Sequence, residues 1–141
     1  MTMMFRLFIP ICALNKTDMY EDRIQRAVDN FKQGYNCAQA VTAAFADLYS
    51  LTEEQALRIS ASFGGGIGRM REVCGAASGM FILAGLQTGT IDPKDSKGKE
   101  YNYQVVQQLA AEFRKRNGSI ICGELLGQSF CTWFLRISRA P

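Results

Sequence analysis

The sequence contains no histidine, and this absence excludes most familiar enzyme mechanisms. Without an imidazole there is no Ser-His or Cys-His nucleophile, no histidine-ligated metal and no covalent haem signature ending in Cys-His. No Cys-x-x-Cys pair occurs, so the usual spacing of zinc ribbons and thioredoxin-like proteins is missing. The net charge of +3 is too small to indicate nucleic-acid binding. Redox, metal or nucleophilic chemistry must therefore use thiols, carboxylates, amines or phenols.

The length and composition fit one globular domain. Of the 141 residues, 48% are hydrophobic and 21% charged, which is ordinary for a folded protein and not for a disordered one. Residues 1–18 open with an apolar stretch that is too short and too broken to span a bilayer. We interpret them as an extension or a weak signal-like segment, and we leave Cys12 out of the candidate site. The predicted domain covers residues 19–127.

Apolar residues recur at helical spacing along this domain, and no stretch alternates with a period of two. Thr17 or Asp18 can cap the first helix, Gly34 can end it, and Asn36 can cap the second. Residues 52–55 form a capping box that opens a third helix. The fold class predicted is all-α, a single compact bundle of five or six helices.

Residues 74–86 are apolar on all sides, so they are expected to form the buried, glycine-rich central helix of the bundle. Before them comes a glycine loop, which begins at Gly64 and reads Gly-Gly-Gly-Ile-Gly-Arg. It matches neither Gly-x-Gly-x-x-Gly nor a P-loop, and no predicted strand precedes it. The loop can simply turn the chain, or it can bring backbone N–H groups close to a sulfur or an anion.

Three of the five cysteines fall at predicted helix starts. Cys37 begins the second helix, Cys74 opens the central helix, and Cys122 opens a short last helix. Unpaired N–H groups and the helix dipole favour a thiolate there, and Arg69 and Arg71 precede Cys74 closely. A thiolate attacks disulfides, ligates metals and reacts with oxidants. The alternative is that these thiols are small buried hydrophobic side chains.

From about Arg23 to Gly127 the chain resembles the C_GCAxxG_C_C family of redox-active proteins, small proteins with four characteristic cysteines. The matching segments, in chain order, are Gly-Tyr-Asn-Cys-Ala-Gln-Ala-Val at 34–41, Phe-Gly-Gly-Gly-Ile-Gly-Arg at 63–69, Cys-Gly-Ala-Ala-Ser-Gly at 74–79, Asn-Gly-Ser at 117–119 and Cys-Gly-Glu-Leu-Leu-Gly at 122–127. The family label implies redox activity but supplies no substrate. Residues 128–141 depart from the family's usual continuation, so we interpret them as a divergent or truncated tail.

The resemblance implies that Cys37, Cys74 and Cys122 converge, and it leaves open whether the tail residue Cys131 joins them. Two chemistries fit such a set of thiols. The four can ligate an iron–sulfur cluster, or another metal, with backbone groups of the glycine loop bonding to the sulfurs. Alternatively, two thiols cycle between dithiol and disulfide. Cys37, Cys74 and Cys122 are assigned as catalytic thiols. The same three residues and Cys131 are assigned as metal ligands. Gly65, Gly66 and Gly75 are assigned as cofactor contacts.

On this interpretation the protein is a thiol- or iron–sulfur-dependent oxidoreductase or an electron-transfer protein. We expect a cytoplasmic location, a redox partner of unknown identity, no nucleic-acid binding and no stable membrane insertion, with a homodimer left open. The alternative of a different class is a non-catalytic helical interaction module whose cysteines only pack in its interior.

Overall fold

The computed structural model describes residues 16–127, with side chains from residue 21 onward. This part of the chain folds into six α-helices and two short 3₁₀ segments. The helices are α1 (Lys16–Lys32), α2 (Cys37–Ala44), α3 (Glu53–Ser60), α4 (Gly75–Thr88), α5 (Ser96–Asn117) and α6 (Cys122–Gly127), and the 3₁₀ segments are Ala46–Tyr49 and Ala61–Phe63. Within residues 16–127 the β-structure is limited to one isolated antiparallel bridge between Val73 and Ile121. The all-α prediction is confirmed.

The predicted boundaries at 1–18, 19–127 and 128–141 remain predictions. Helix α1 begins at Lys16 and so runs across the first of these boundaries. Cys12 and Cys131 both lie outside the described residues. None of the helices within residues 16–127 combines the length and the apolar character needed to cross a membrane.

Local signals set most of the helix ends. Asn36 caps α2 by accepting hydrogen bonds from the N–H groups of Ala38 and Gln39. Thr52 caps α3 in a capping box with Gln55, as its sequence pattern predicts. A glycine follows α1 and another follows α5, and both have the positive φ that a left-handed helix stop requires, +106° at position 34 and +87° at position 118.

The predicted cap of the first helix is wrong. Because α1 begins at Lys16, Thr17 and Asp18 belong to its first turn and do not precede it.

Helix α4 packs against both α2 and α5. Its glycines allow the close approach of α2, since a Cβ added at Gly79 would lie only 3.0 Å from the carbonyl oxygen of Ala38. At the first residue of α4, a Cβ added at Gly75 would lie 3.0 Å from Cβ of Cys37 and 2.9 Å from the carbonyl oxygen of Phe63. The starts of α2 and α4 are therefore pressed together, and each start carries a cysteine.

An internal ion pair fixes α1 to the rest of the bundle. The Arg23 side chain is buried, and its guanidinium donates to both carboxylate oxygens of Asp47, at 2.6 and 2.8 Å. It also donates to the carbonyl oxygen of Ala44 at 2.9 Å, at the last residue of α2. The hydrogen bonding of Arg23 to the Asp47 carboxylate holds the pKa of Asp47 below its ordinary value. The two-oxygen pairing satisfies Nη1 and Nη2 of Arg23, while its buried Nε has no hydrogen-bond partner among the described residues. These hydrogen bonds hold α1 against the end of α2.

Candidate thiol site

The glycine loop, residues 64–72, is wound in the left-handed sense. Five consecutive residues, 65–69, have φ between +57° and +72°, and Arg71 again has +65°. Backbone hydrogen bonds close the loop on itself, for example from the N–H of Gly68 to the carbonyl oxygen of Ser62 at 2.8 Å. An L-residue in this conformation costs roughly 1–2 kcal/mol. Ile67, Arg69 and Arg71 all bear that cost, so the glycine loop is more than a simple turn.

The glycine loop approaches two of the cysteines through its backbone. The backbone N–H of Gly65 is close enough to Cys37 to lower the pKa of its thiol against the larger effect of burial. A Cβ added at Gly66 would lie 2.6 Å from Cβ of Cys122, and one added at Gly64 would lie 2.5 Å from the side chain of Asn36. The glycines thus allow the chain to pass directly over Cys37 and Cys122, which is one of the two alternatives that the sequence left open.

Backbone hydrogen bonds bring the start of α6 beside the start of α4. The N–H of Cys74 donates to the carbonyl oxygen of Ile120 at 2.8 Å, and the N–H of Cys122 donates to that of Glu72 at 2.6 Å. A third bond runs from the N–H of Gly123 to the carbonyl oxygen of Arg71 at 3.0 Å. These pairings join segments about fifty positions apart in sequence, and they place Cys122 next to the glycine loop and Cys74.

Sequence reasoning missed the side chain that shapes the start of α6. The hydroxyl of Ser119 donates to the carboxylate of Glu124 and accepts from the N–H of Ile121. The Asn-Gly-Ser segment at 117–119 contained the signal, since a serine shortly before a helix commonly bonds to free backbone N–H groups.

All three described cysteines are free thiols, and they form one site. Cys37 is partly exposed, whereas Cys74 and Cys122 are 4% and 9% exposed. Each pair among the three interacts electrostatically, since Cys122 raises the pKa of Cys37 and both of these thiols raise the pKa of Cys74. The structure therefore brings together the three cysteines at predicted helix starts, while their chemical roles stay a prediction.

The expectation that helix starts favour the thiolate is wrong for Cys37 and Cys74, whose pKa values are raised. Burial raises the pKa of Cys37, and burial raises the pKa of Cys74 to about 11. Nearby N–H groups do act in the predicted direction, those of Ala77 and Ala76 on Cys74 and that of Gly65 on Cys37. Burial has the larger effect, because the free energy lost when a thiolate is removed from water exceeds the stabilisation from a few N–H groups.

A pH dependence of stability follows from the buried Cys74. Its pKa is about 11 in the folded protein against an ordinary value of 9.0, so the unfolded chain releases this proton first as the pH rises. Stability is therefore fully present below pH 9 and decreases between pH 9 and 11. We expect Cys74 to account for a loss of about 2–3 kcal/mol in the free energy of unfolding. Urea unfolding of the reduced protein at several pH values measures it.

Cys74→Ala is the matched variant for this measurement. It should be less stable at pH 7, where a small cavity costs free energy, yet lose less stability between pH 9 and 11 than the unchanged protein. Equal pH slopes for the two proteins would contradict the assignment to Cys74.

Sequence reasoning placed Arg69 and Arg71 near Cys74, but the structure gives Arg71 a different neighbour. Its Nη1 atom lies 3.9 Å from the sulfur of Cys122, and its charge lowers the pKa of Cys37 against the effect of burial. The sequence could not identify this neighbour, because Cys122 is fifty-one positions further along the chain.

The described thiols do not by themselves fit a metal or an iron–sulfur cluster. Between residues 16 and 127, no group of three or more Cys, His, Asp or Glu side chains is placed to hold a metal ion. Of the predicted ligands, Cys37, Cys74 and Cys122 share the site, and Cys131 lies outside the described residues. Gly65 and Gly66 line the site beside Cys37 and Cys122, and Gly75 adjoins Cys37.

The chain was compared with known proteins. A family model described as "Putative redox-active protein (C_GCAxxG_C_C)" matches residues 35–137. This range includes Cys37, Cys74 and Cys122, and it continues through most of the tail, past Cys131. No curated protein and no solved structure matched the chain.

Proposed function

Since the chain belongs to the C_GCAxxG_C_C family of redox-active proteins, we propose that it is a thiol oxidoreductase in which Cys37 and Cys122 cycle between dithiol and disulfide. The observation that carries this proposal is the convergence of three free thiols, each pair interacting electrostatically, around the glycine loop. Neighbouring thiols of this kind are the reactants that a dithiol/disulfide cycle needs.

The exposure of the thiols and the charges near them support a distinct role for each cysteine. Cys37 is the most exposed of the three thiols, so a substrate reaches it first. The N–H of Gly65 and the charge of Arg71 both favour its thiolate. Cys74 is the poorest nucleophile, because it is almost fully buried and its pKa is about 11. Cys122, which lies in contact with Arg71, is therefore the partner that completes the couple.

The step needs a disulfide as the oxidant. The Cys37 thiolate attacks one sulfur of a substrate disulfide, the S–S bond breaks, and the first substrate thiolate leaves and takes up a proton. Cys122 then loses its proton to solvent and attacks the sulfur of Cys37, which releases the second substrate thiol. Two electrons pass from the protein dithiol to the substrate disulfide, and an external dithiol reverses the cycle.

Iron–sulfur ligation by Cys37, Cys74, Cys122 and Cys131 is the competing proposal. It is favoured by the N–H of Gly65 on the sulfur of Cys37, a type of contact that commonly tunes cluster sulfurs. We rank it second because residues 16–127 offer no three-donor metal group. A reducing cytoplasmic compartment, also proposed, suits both chemistries because it keeps the thiols free.

One preparation separates the proposals. The full chain is purified without oxygen, and its iron, zinc, acid-labile sulfide and free thiols are measured before and after exposure to oxidised glutathione. We expect no stoichiometric metal, loss of two free thiols per chain on oxidation, a Cys37–Cys122 crosslink in the peptide map, and full recovery with reductant. Stoichiometric iron and sulfide would assign the thiols to a cluster instead. Unchanged thiols without metal would leave the non-catalytic interaction module.

A further inference from the structure

We propose that Arg69 and Arg71 form a docking surface for carboxylate groups at the edge of the thiol site, and that the substrates of this site are disulfides that carry negative charge. The choice of substrate rests on the dithiol/disulfide function proposed above. The docking surface does not, because any anionic reagent that reacts with Cys37 tests it.

Measured distances place Arg71 at the site. Its Nη1 atom lies 3.9 Å from the sulfur of Cys122. A Cβ added at Gly123 would lie 3.4 Å from Cβ of Arg71, and the N–H of Gly123 donates to the carbonyl oxygen of Arg71 at 3.0 Å. The backbone and the side chain of Arg71 are therefore both held against the start of α6, where Cys122 lies.

Arg69 covers the part of the glycine loop that passes between two of the cysteines. A Cβ added at Gly65 would lie 2.9 Å from Cγ of Arg69, so this side chain lies against Gly65. The two neighbours of Gly65 in the loop approach Asn36, which precedes Cys37, and Cys122. The two arginines thus lie on the same short stretch of chain, beside the thiols of the proposed couple.

Both guanidinium groups are exposed and free of acidic partners among the described residues. The ion pairs of residues 16–127 involve Arg23, Arg26, Arg58 and Arg116. Neither Arg69 nor Arg71 takes part in one, although Glu72 follows them directly, and the carboxylate of Glu124 accepts from the hydroxyl of Ser119. An arginine in this state can bind a carboxylate through two parallel hydrogen bonds.

The loop holds these two side chains in place at a conformational cost. Arg69 and Arg71 both have a φ of +65°, which glycine adopts freely and arginine does not. The N–H of Arg69 donates to the carbonyl oxygen of Gly64 at 3.1 Å, and that of Arg71 donates to Gly65 at 3.3 Å. Strain of this kind concentrates at functional sites, and a preorganised loop loses little freedom when an anion binds.

The docking surface selects the reactant and takes no part in the electron transfer. Cys37 is the partly exposed thiol, so a reactant arrives there. Its thiolate attacks one sulfur of the substrate disulfide, the S–S bond breaks, and the first substrate thiolate leaves and takes up a proton, as described above. The arginines attract the carboxylates of an anionic substrate, raise its local concentration and repel a cationic one.

The experiment compares the alkylation of Cys37 by iodoacetate, an anion, with its alkylation by iodoacetamide, which is neutral, in the fully reduced full chain. Both reagents consume the same thiolate, so the ratio of the two rates does not depend on how far Cys37 is ionised. Arg69→Gln and Arg71→Gln should each lower the iodoacetate-to-iodoacetamide ratio by roughly threefold, and the double variant should lower it further. Arg71→Lys should keep most of the ratio, because it keeps the charge. Peptide mass spectrometry measures both rates.

Lys99→Gln is the matched control, because it removes one exposed positive charge near the first residue of α5, about 27 Å along the helix from Asn117. It should leave the ratio within a factor of about 1.5, since salt screens a distant charge. In the unsubstituted protein, high salt should lower the ratio as the arginine substitutions do. An unchanged ratio in the double variant, or an equal fall in Lys99→Gln, would overturn the proposal.

A second measurement tests the substrate. The reduced protein is mixed with oxidised glutathione, which is anionic, or with cystamine, which is cationic, and the loss of free thiols is followed. The preference for oxidised glutathione over cystamine should fall in both glutamine variants, and an unchanged preference would contradict the choice of substrate. If neither disulfide reacts while the alkylation ratio still falls, the dithiol/disulfide function and the substrate are overturned and the docking surface is supported.

Discussion

Replacing Gly66 by alanine is expected to destabilise the folded protein by about 3 kcal/mol or more, enough to unfold much of a marginally stable domain. A Cβ there would lie 2.6 Å from Cβ of Cys122, 2.8 Å from the N atom of Glu72 and 2.9 Å from the carbonyl carbon of Arg71. Two of these neighbours are backbone atoms, and they cannot rotate away. The φ of +72° adds the left-handed penalty for an L-residue. Urea unfolding of the reduced protein measures the loss.

Gly68→Ala separates the two causes of this loss. Gly68 also has a positive φ, +57°, but the nearest atom to an added Cβ is the carbonyl oxygen of Ser62 at 4.0 Å. We expect this variant to lose only the conformational part, roughly 1–2 kcal/mol. If the two variants lose the same stability, backbone conformation alone explains the glycines, and the tight approach of the loop to Cys122 contributes nothing.

The parts of the fold that the sequence could predict are those set by local chemistry. The capping side chains of Asn36 and Thr52 and the stop at Gly34 act within a few residues, and all three were found in the sequence. The placement of Cys37 and Cys122 at helix starts followed from the same kind of signal.

What the sequence could not predict depends on contacts between distant segments. The hydrogen bond from Cys122 to Glu72 is a pairing of this kind, and it decides which side chains lie around the thiols. The direction of the Cys74 pKa shift depends on burial, which a helix-start argument does not include. The thiol positions could therefore be predicted, but their protonation and the role of Arg71 could not.

Replacing Cys37 by serine is expected to abolish the reversible dithiol/disulfide couple. Cys37, the partly exposed thiol, makes the first attack in the proposed cycle. A serine hydroxyl cannot replace it, because its oxygen is neither ionised near neutral pH nor able to form a disulfide. Cys122→Ser should have the same effect on the protein disulfide, but Cys37 should then remain trapped as a mixed disulfide with the substrate thiol. Free-thiol counts and intact mass after exposure to oxidised glutathione measure both results.

Cys74→Ser is the matched control, because it changes a neighbouring thiol of the same site that has no role in the proposed couple. It should retain oxidation of two thiols per chain and the Cys37–Cys122 crosslink, although the buried hydroxyl lowers its stability. Circular dichroism and urea unfolding of each variant separate a lost thiol from a lost fold. If all three substitutions abolish the couple in folded protein, the thiols act as a set and not as a pair. Ligation of a metal cluster requires all of its cysteines together, so that outcome would favour a cluster that includes Cys131. Cys131→Ser would then also eliminate the cluster.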